Sequence, residues 1–260
     1  MFPACRIPRP QTGCGREKSA GAAAFVETVA LVENRRVAQA QQWKVNVGGE
    51  ETSAAYDPAE GVSRGIVYLQ AHGAGGSMED RSTLAAGRCL RGCGLGVVRF
   101  NFLYRAKSSK RPDLMPKLQA CYSAVVDSVR ARLQPQRLLI GGRSMGGRAT
   151  SMMVAEGFAC DGLILLAYPL HPPGQPEKLR DAHLARIAVP VLCFNGTRDD
   201  FCRRDLMDAV VARLPRTWTM HWLDAADHSF RVLKSSGRTD ADVLAEVARA
   251  SQQWLSIQNF

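Results

Sequence analysis

The feature of this sequence that most constrains its fold is a series of short apolar runs that alternate with segments of helical periodicity. The runs are rich in Val, Ile and Leu through most of their length, which is typical of strands buried on both faces of a parallel sheet. They cover residues 65–73, 95–102, 137–142, 161–169, 189–196 and 217–223. Such alternation predicts an α/β fold, a mostly parallel sheet with helices on both faces.

The helical segments lie between these runs, and their apolar residues recur at the spacing of one helix face. They cover residues 79–91, 117–133, 203–214 and 240–257. Thr239 and Asp242 form a capping pair at the start of the last one. Residues 43–47 alternate between apolar and polar side chains, which predicts an edge strand before a turn at Gly48–Gly49.

Residues 1–42 differ from the rest of the chain. They hold three prolines and scattered arginines, and their apolar run at 22–26 is interrupted at once by Glu27. A secretory signal needs a longer apolar region, and a transit peptide should be poor in acids. We expect residues 1–42 to be a disordered extension and residues 43–260 to form one domain.

Composition narrows the class of protein. The net charge is +10, but the basic residues are spread along the chain. No nucleic-acid-binding motif accompanies them, which argues against nucleic acid as a partner. No apolar run approaches the roughly 20 residues that span a bilayer, which argues against a membrane protein. The eight cysteines include no C-x-x-C pair, which favours a reducing, cytoplasmic location. Because no two histidines have metal-ligand spacing, we expect neither metal nor cofactor.

The residues Gly142-Arg143-Ser144-Met145-Gly146 match G-x-S-x-G between a predicted strand and a predicted helix. This pattern is typical of a nucleophile elbow, a tight turn that projects its serine above the sheet. The Met145 N–H would then face the same point as the Ser144 hydroxyl and help to bind an oxyanion.

Two later strand ends supply the partners that a serine nucleophile needs. Asp199 follows the run at 189–196, and His228 follows the last run, so the chain order is Ser, Asp, His, as in the α/β-hydrolases. His228 would accept the Ser144 proton, and Asp199 would orient the imidazole. Asp200 is a rival to Asp199. Of the other histidines, His183 is expected in solvent and His221 within the last strand.

The remaining strand ends suggest the walls of the site. His72-Gly73-Ala74-Gly75 follows the first central run, where small residues let the backbone approach a substrate. We expect the Ala74 N–H to be the second oxyanion donor, with Gly75 beside it. Asn101, Tyr168 and His171 follow other strands and are candidate pocket residues, although His171 is better explained as a brace for the Pro172–Pro173 turn.

Two competing motifs fail on particular residues. Gly142–Gly147 has the glycine spacing of a phosphate-binding loop, but Arg148 and Ala149 replace its Lys and Ser/Thr. The glycines at 92, 94 and 96 precede a strand instead of following one, unlike a dinucleotide fingerprint. The basic loop 104–117 lies on the side of the sheet that carries the candidate site. It is either a selector for anionic substrates or a solvated loop.

Several stretches carry a resemblance to a known family. They are QAHGAGGSMED, VVRFNFLYR, RPDLMPKLQA, LLIGGRSMGGRATSMM, YPLHPPGQPEKLRDAHL, VLCFNGTRDDF and DAADHSF. The sequence resembles an α/β-hydrolase of the dienelactone-hydrolase-like group, and within it the branch of testis-expressed protein 30 and its bacterial relatives, over residues 65–230. The resemblance implies the α/β-hydrolase fold and a Ser-His-Asp site without metal. It implies no particular substrate, and residues 1–42 have no counterpart in it.

These observations lead to one functional hypothesis and its rivals. We expect a carboxylesterase-like serine hydrolase that cleaves small or short-chain esters or lactones through an acyl-enzyme, with small-molecule esters as its partners. Short segments after Ser144 predict that no large cap domain is inserted. The alternative is a catalytically silent α/β-hydrolase-fold protein used for interaction, because fold does not determine function. A third hypothesis is nucleic-acid binding, which predicts that the affinity for DNA falls steeply as the salt concentration rises.

Overall fold

The computed structural model describes residues 40–260, which build one eight-stranded sheet. The strands are β1 (Gln41–Val47), β2 (Glu50–Asp57), β3 (Ile66–Ala71), β4 (Gly96–Phe100), β5 (Arg137–Arg143), β6 (Gly162–Leu166), β7 (Val191–Gly196) and β8 (Trp218–Leu223). Their order in the sheet is β1-β2-β4-β3-β5-β6-β7-β8. The pairs from β4 to β8 are parallel, and β1 and β2 are antiparallel additions at one edge. Residues 1–39 of the predicted extension 1–42 lie outside the described part of the chain.

The strand β2 was not predicted from the sequence. It begins with two glutamates and has no continuous apolar run, because it pairs near the edge of the sheet. Gly48 and Gly49 join it to β1 with φ values of +59° and +88°. Two consecutive positive φ angles are what a tight hairpin turn requires. The strand β1 starts at Gln41, two residues before the predicted edge strand.

The helices divide between the two faces of the sheet. They are α1 (Arg81–Gly92), α2 (Leu103–Ala106), α3 (Met115–Leu133), α4 (Met145–Ala155), α5 (Arg204–Val211) and α6 (Asp240–Ile257). Buried side chains of α1 and α6 share one hydrophobic cluster, and those of α3, α4 and α5 share the other. The predicted mostly parallel sheet with helices on both faces is therefore confirmed.

The central strands are buried on both faces, which explains their continuous apolar runs. Every residue of β3, β4, β6 and β7 is buried. Between β6 and β7 the described chain forms only a single 3₁₀ turn, at Leu184–Arg186. The absence of an inserted cap domain over residues 40–260 agrees with the prediction. None of the helices in this range is long and apolar enough to cross a membrane.

Candidate active site

Ser144 lies at the tip of a sharp turn between β5 and α4. Its φ is +50°, a left-handed conformation that costs a non-glycine residue about 1–3 kcal/mol and that persists only where the surroundings enforce it. The residue is half-exposed, while Gly142 and Gly146 on either side are buried. The strained turn therefore presents the hydroxyl at the carboxyl end of the sheet.

The glycines of the turn are required by the closeness of β3. A Cβ on Gly146 would lie 2.6 Å from the Ala71 Cβ and 2.8 Å from the His72 carbonyl oxygen. A Cβ on Gly142 would lie 2.4 Å from the Ala71 carbonyl oxygen, and the φ of Gly142 is +152°. These distances are shorter than real Cβ contacts, so both positions exclude a side chain.

The structure brings the three predicted residues Ser144, His228 and Asp199 into one chain of hydrogen bonds. The Ser144 Oγ lies 2.9 Å from the His228 Nε2, and the His228 Nδ1 lies 2.8 Å from both carboxylate oxygens of Asp199. Because a carboxylate only accepts, the Nδ1 carries the hydrogen and donates a hydrogen bond to Asp199. The Nε2 is then free to accept the Ser144 proton. Phe201 packs against the imidazole at a centroid distance of 4.3 Å.

Asp199 and its rival Asp200 have opposite environments. The Asp199 side chain has no exposed surface, whereas Asp200 is exposed. The Phe201 N–H donates to the Asp199 Oδ1 at 2.9 Å, and the Asn195 Nδ2 donates to the Oδ2 at 3.2 Å. Of the two carboxylates, only Asp199 is hydrogen-bonded to His228.

Asn195 is a site residue that sequence reasoning missed. It is fully buried near the end of β7, and its amide also bridges the backbone of Tyr168, accepting from the N–H at 3.2 Å and donating to the carbonyl oxygen at 3.0 Å. One side chain thus ties the end of β6 to the Asp199 carboxylate. The signal was present in the sequence, because Asn195 is the one polar side chain in the apolar strand β7.

A second serine–histidine pair has a different hydrogen-bond pattern. The Ser151 Oγ lies 2.8 Å from the His183 Nε2, but it also donates to the Arg148 carbonyl oxygen at 2.9 Å. The Ser151 hydroxyl hydrogen is used in the bond to the Arg148 carbonyl oxygen. His183 therefore donates to the Ser151 Oγ and does not accept from it. Ser151 is also fully buried. The expectation that His183 lies in solvent was wrong, because it is half-buried and burial lowers its pKa to about 4.

The loop after β3 is pinned by His72. This residue is fully buried, and burial lowers its pKa to about 4. The Phe102 N–H donates to its Nε2 at 3.2 Å, which leaves the Nδ1 to donate to the Gly73 carbonyl oxygen at 2.8 Å. A neutral histidine therefore fixes the path of the chain as it enters the Gly73–Gly76 turn.

The two predicted oxyanion donors, Met145 and Ala74, belong to segments next to Ser144. Met145 is the first residue of α4, where helix N–H groups lack intrahelical acceptors. A Cβ on Gly73 would lie 3.5 Å from the Ser144 Cβ, so the loop that carries Ala74 passes beside the serine. Ala74 and Gly75 are exposed, and within residues 40–260 no backbone acceptor takes the Ala74 N–H.

The structure places the four candidate pocket residues in different environments. Tyr168 is a core residue, since it is fully buried and its hydroxyl donates to the Arg180 carbonyl oxygen at 2.7 Å. Asn101 engages its amide oxygen with the Met78 N–H at 2.9 Å, and so braces the loop after β3. Gly75 alone among these candidates is exposed, with open space around its Cα.

His171 acts as a brace, as its alternative interpretation held. The Arg203 N–H donates to its Nε2 at 3.1 Å, so the Nδ1 donates to the Pro172 carbonyl oxygen at 2.9 Å. The ring is 2% exposed and borders, with Asp199, a cavity of about 820 Å³. Both ring nitrogens are thus used to tie the Pro172–Pro173 turn to the chain after β7.

Arg143 is the second residue whose role the sequence did not reveal. It lies between Gly142 and the nucleophile, is 8% exposed, and donates from its Nη2 to the His228 carbonyl oxygen. Its guanidinium lies 4.7 Å above the Phe230 ring. Burial lowers the pKa of Arg143 to about 10, so the side chain remains a cation at neutral pH. A buried cation therefore supports the loop that carries His228.

The basic loop 104–117 is partly neutralised by a carboxylate outside it. Lys107 and Lys117 both pair with Glu50 on β2, and Arg105 donates to the Ser109 carbonyl oxygen. These contacts favour the interpretation as a solvated loop.

His221 lies in β8 as expected and contacts Glu246 at 2.9 Å. Over the described residues no group of three potential metal ligands comes together.

Comparison with known proteins identifies the fold family of this chain. The family model described as an alpha/beta hydrolase domain matches residues 64–256. An alpha-beta serine hydrolase homologue from Coxiella burnetii superposes with a TM-score of 0.67 at 20% identity, over 81% of this chain and 96% of that one. An α/β serine hydrolase without lid from Xanthomonas campestris gives 0.67 at 22% identity, over 84% and 95%. A dienelactone hydrolase from Anabaena variabilis gives 0.63 at 18% identity, over 84% and 97%. The match over most of the chain shows that it belongs to the family of α/β-hydrolase domains.

Proposed function

We propose that this protein is a serine hydrolase that cleaves carboxylic esters or lactones, with Ser144 as nucleophile, His228 as base and Asp199 as the group that orients it. The observation that carries the proposal is the continuous contact from the Ser144 Oγ through the imidazole to the buried carboxylate. The likeness to serine hydrolases and esterases supports the same class of reaction.

The first half of the reaction forms an acyl-enzyme. His228 accepts the Ser144 proton on its Nε2 while the Oγ attacks the acyl carbon of the ester. The imidazolium that results is stabilised by the Asp199 carboxylate at its Nδ1. The imidazolium then gives its Nε2 proton to the alcohol oxygen as the bond between that oxygen and the acyl carbon breaks. The alcohol leaves neutral, and the acyl group remains on Ser144.

The second half returns the enzyme to its starting state. His228 takes a proton from water, the hydroxide attacks the acyl carbon, and the Ser144 oxygen leaves with the proton from the imidazolium. In both halves the acyl oxygen becomes negative, and we assign its binding to the N–H groups of Met145 and Ala74. Removing one such donor costs about 10²–10³ in kcat in serine hydrolases.

The substrate we propose is small or short-chain. The support is the short connection between β6 and β7, which leaves the described part of the chain without an inserted cap over Ser144. The proposal extends to the branch of testis-expressed protein 30, and its support is the stretch YPLHPPGQPEKLR. Tyr168 and His171 of this stretch brace the chain around Asp199.

The test is hydrolysis of p-nitrophenyl esters by the wild type and by Ser144→Ala. We expect measurable activity in the wild type and a fall in kcat of about 10⁴-fold or more in the variant, because both attack and acyl transfer need the Oγ. Ser151→Ala is the matched control, since it removes the other histidine-bonded serine, and its kcat should stay within a few-fold. A fluorophosphonate should label the wild type and not Ser144→Ala. Folded wild type that shows neither activity nor labelling would favour the non-catalytic alternative.

A further inference from the structure

A cavity of about 620 Å³ lies beside the candidate site and is bordered by Arg143. Its other walls come from the start of α1, the start of α6 and the loop that follows His228. Arg81 of α1 and Arg231 of the loop also line it, and both are exposed. Three arginines from three different segments of the chain thus line one cavity.

None of these guanidiniums forms an ion pair with a carboxylate of residues 40–260. Arg143 donates to the His228 carbonyl oxygen and lies over the Phe230 ring, and none of the three arginines takes part in a salt bridge in this range. A buried cation without a paired anion loses much of its hydration energy, which is why such groups are normally paired. The carboxylates of Asp199 and Asp227 favour the charged form of Arg143 from a distance, but Asp199 is bonded to His228 and Asp227 accepts from the Ser229 and Arg231 N–H groups.

Two carboxylates line the same cavity, but both already accept hydrogen bonds. Asp80 accepts from the N–H and the hydroxyl of Ser77, at 2.8 and 2.9 Å. Asp240 accepts from the Val232 N–H at 3.1 Å. These bonds hold the two acids in the local structure of their own segments. The two acids remain anions, so the lining carries three positive and two negative charges and keeps a net positive charge.

We propose that this cavity binds a phosphate group, held by the buried Arg143 together with Arg81 and Arg231. A guanidinium donates through a planar fork that matches phosphate oxygens, and one phosphate group can accept from more than one such fork. The volume exceeds that of phosphate alone, which leaves space for an organic group attached to it. Binding there does not depend on the reaction proposed at Ser144.

The test is the binding of inorganic phosphate to the full chain, measured by titration calorimetry at constant ionic strength. We expect saturable binding to the wild type, with Kd raised about tenfold in Arg81→Gln and in Arg231→Gln, since each loses a charge-assisted hydrogen bond. Arg88→Gln is the matched control, because Arg88 is also exposed on α1 but does not line the cavity. Its Kd should equal that of the wild type.

Two results would overturn the proposal. One is the absence of saturable phosphate binding at millimolar concentrations, and the other is an equal loss of affinity in Arg88→Gln, which would mean a general ionic effect. Arg143→Gln should abolish binding, and if it fails to fold, the two exposed variants still decide. The same titration with Ser144→Ala should give the wild-type Kd, so a failure of esterase activity and a failure of phosphate binding are separate outcomes.

The source of the phosphate group follows from kinetics, provided that the proposed esterase activity is found. If the group belongs to the substrate, inorganic phosphate should compete with an acetate ester whose alcohol part carries a phosphate group, and so raise its KM. It should leave the hydrolysis of p-nitrophenyl acetate unchanged. If it belongs to a separate effector, phosphate should change the kcat for p-nitrophenyl acetate, because Arg143 also contacts the His228 carbonyl oxygen.

Discussion

At the scale of single residues, the candidate site depends on side chains that never reach solvent. Asp199 has no exposed surface, so its two oxygens depend entirely on protein donors: His228, Asn195 and the Phe201 N–H. A buried carboxylate that loses a donor is left with an unsatisfied oxygen, which costs more than the net worth of the hydrogen bond. Residues that orient Asp199 should therefore matter almost as much as the residues that react.

We predict that Asn195→Leu lowers kcat by about tenfold or more with little change in KM. The amide contacts Asp199 and the Tyr168 backbone, so its loss should loosen the carboxylate that orients His228. The free energy of unfolding should fall by about 1–3 kcal/mol, as expected for a buried polar group without its partner. Steady-state kinetics and urea unfolding measure the two effects.

Asp200→Asn is the control for this prediction, because it changes an exposed neighbour of the same carboxylate. Its kcat and stability should match those of the wild type. A loss of activity in Asp200→Asn equal to that in Asn195→Leu would contradict the assignment of Asp199.

A second residue-scale prediction concerns the stability of the fold in acid. Burial lowers the pKa of His72 from 6.5 to about 4, so between these values the unfolded chain binds a proton that the folded chain does not. Stability from this group is complete above pH 6.5 and is lost as the pH falls toward 4. The shift corresponds to about 3 kcal/mol at most. Urea unfolding of the wild type at steps of about 0.5 pH unit from pH 7 to pH 4 measures how the free energy of unfolding changes with pH.

The variant His72→Gln removes the titrating group and keeps a side chain that can accept from the Phe102 N–H. Its stability should depend less steeply on pH over this range. His183→Gln should also flatten the slope but by less, because His183 is only half-buried and solvent screens it. If His72→Gln keeps the full wild-type slope, the buried neutral state of His72 is not the cause.

At the scale of elements, the position of Ser144 depends on how closely α4 approaches β3. The helix starts directly after the strained serine, and its first turn packs against the strand through glycine backbone instead of side chains. Glycine normally weakens a helix interior by about 1 kcal/mol relative to alanine. The sequence keeps it here because the space for a Cβ does not exist.

We predict opposite effects for two Gly→Ala changes in helices. Gly146→Ala in α4 places a Cβ 2.6 Å from the Ala71 Cβ, so it should lower stability by about 1–3 kcal/mol and lower kcat by displacing the serine. Gly87→Ala in α1 meets only ordinary contacts, the nearest at 3.5 Å from Val97, and should raise stability by up to about 1 kcal/mol. Thermal unfolding and ester hydrolysis separate the two. Equal effects of the same sign would contradict the close approach of α4 to β3.

At the scale of the whole molecule, the residues with chemical roles gather at the carboxyl ends of the parallel strands. Five strands deliver the loops that carry His72, Asn101, Ser144, Asp199 and His228 to this edge. Because all five strands run in the same direction, segments far apart in the chain meet there. Residues 40–260 add no cap domain above them, so within this range these loops are what limits access to Ser144.

We predict from this architecture that the rate falls with acyl length. The kcat/KM for p-nitrophenyl esters should be highest for acetate to butyrate and should decrease for longer chains, because residues 40–260 insert no cap domain that could enclose a long acyl chain. Hydrolysis of a homologous ester series measures it, with Ser144→Ala as the blank. A preference for long acyl chains would contradict this prediction.

The sequence by itself determined the fold class and the order of the chemical residues. Period-2 and period-3.6 hydrophobic patterns are local properties, and the glycines of the elbow and the Thr239–Asp242 cap act within a few residues, so local sequence was enough to predict them. It missed β2, because a strand near the sheet edge needs no continuous apolar run.

Only the tertiary structure decided which polar side chains serve the site and which serve the core. Tyr168 and Asn101 follow strand ends just as Ser144 does, yet one is a core residue and the other a brace. Asn195 bonds to the Tyr168 backbone, 27 positions away in the chain, and Arg143 bonds to the His228 carbonyl oxygen, 85 positions away. A side chain's burial and hydrogen-bond partners depend on how distant segments pack, and that information is not contained in any local window of the sequence.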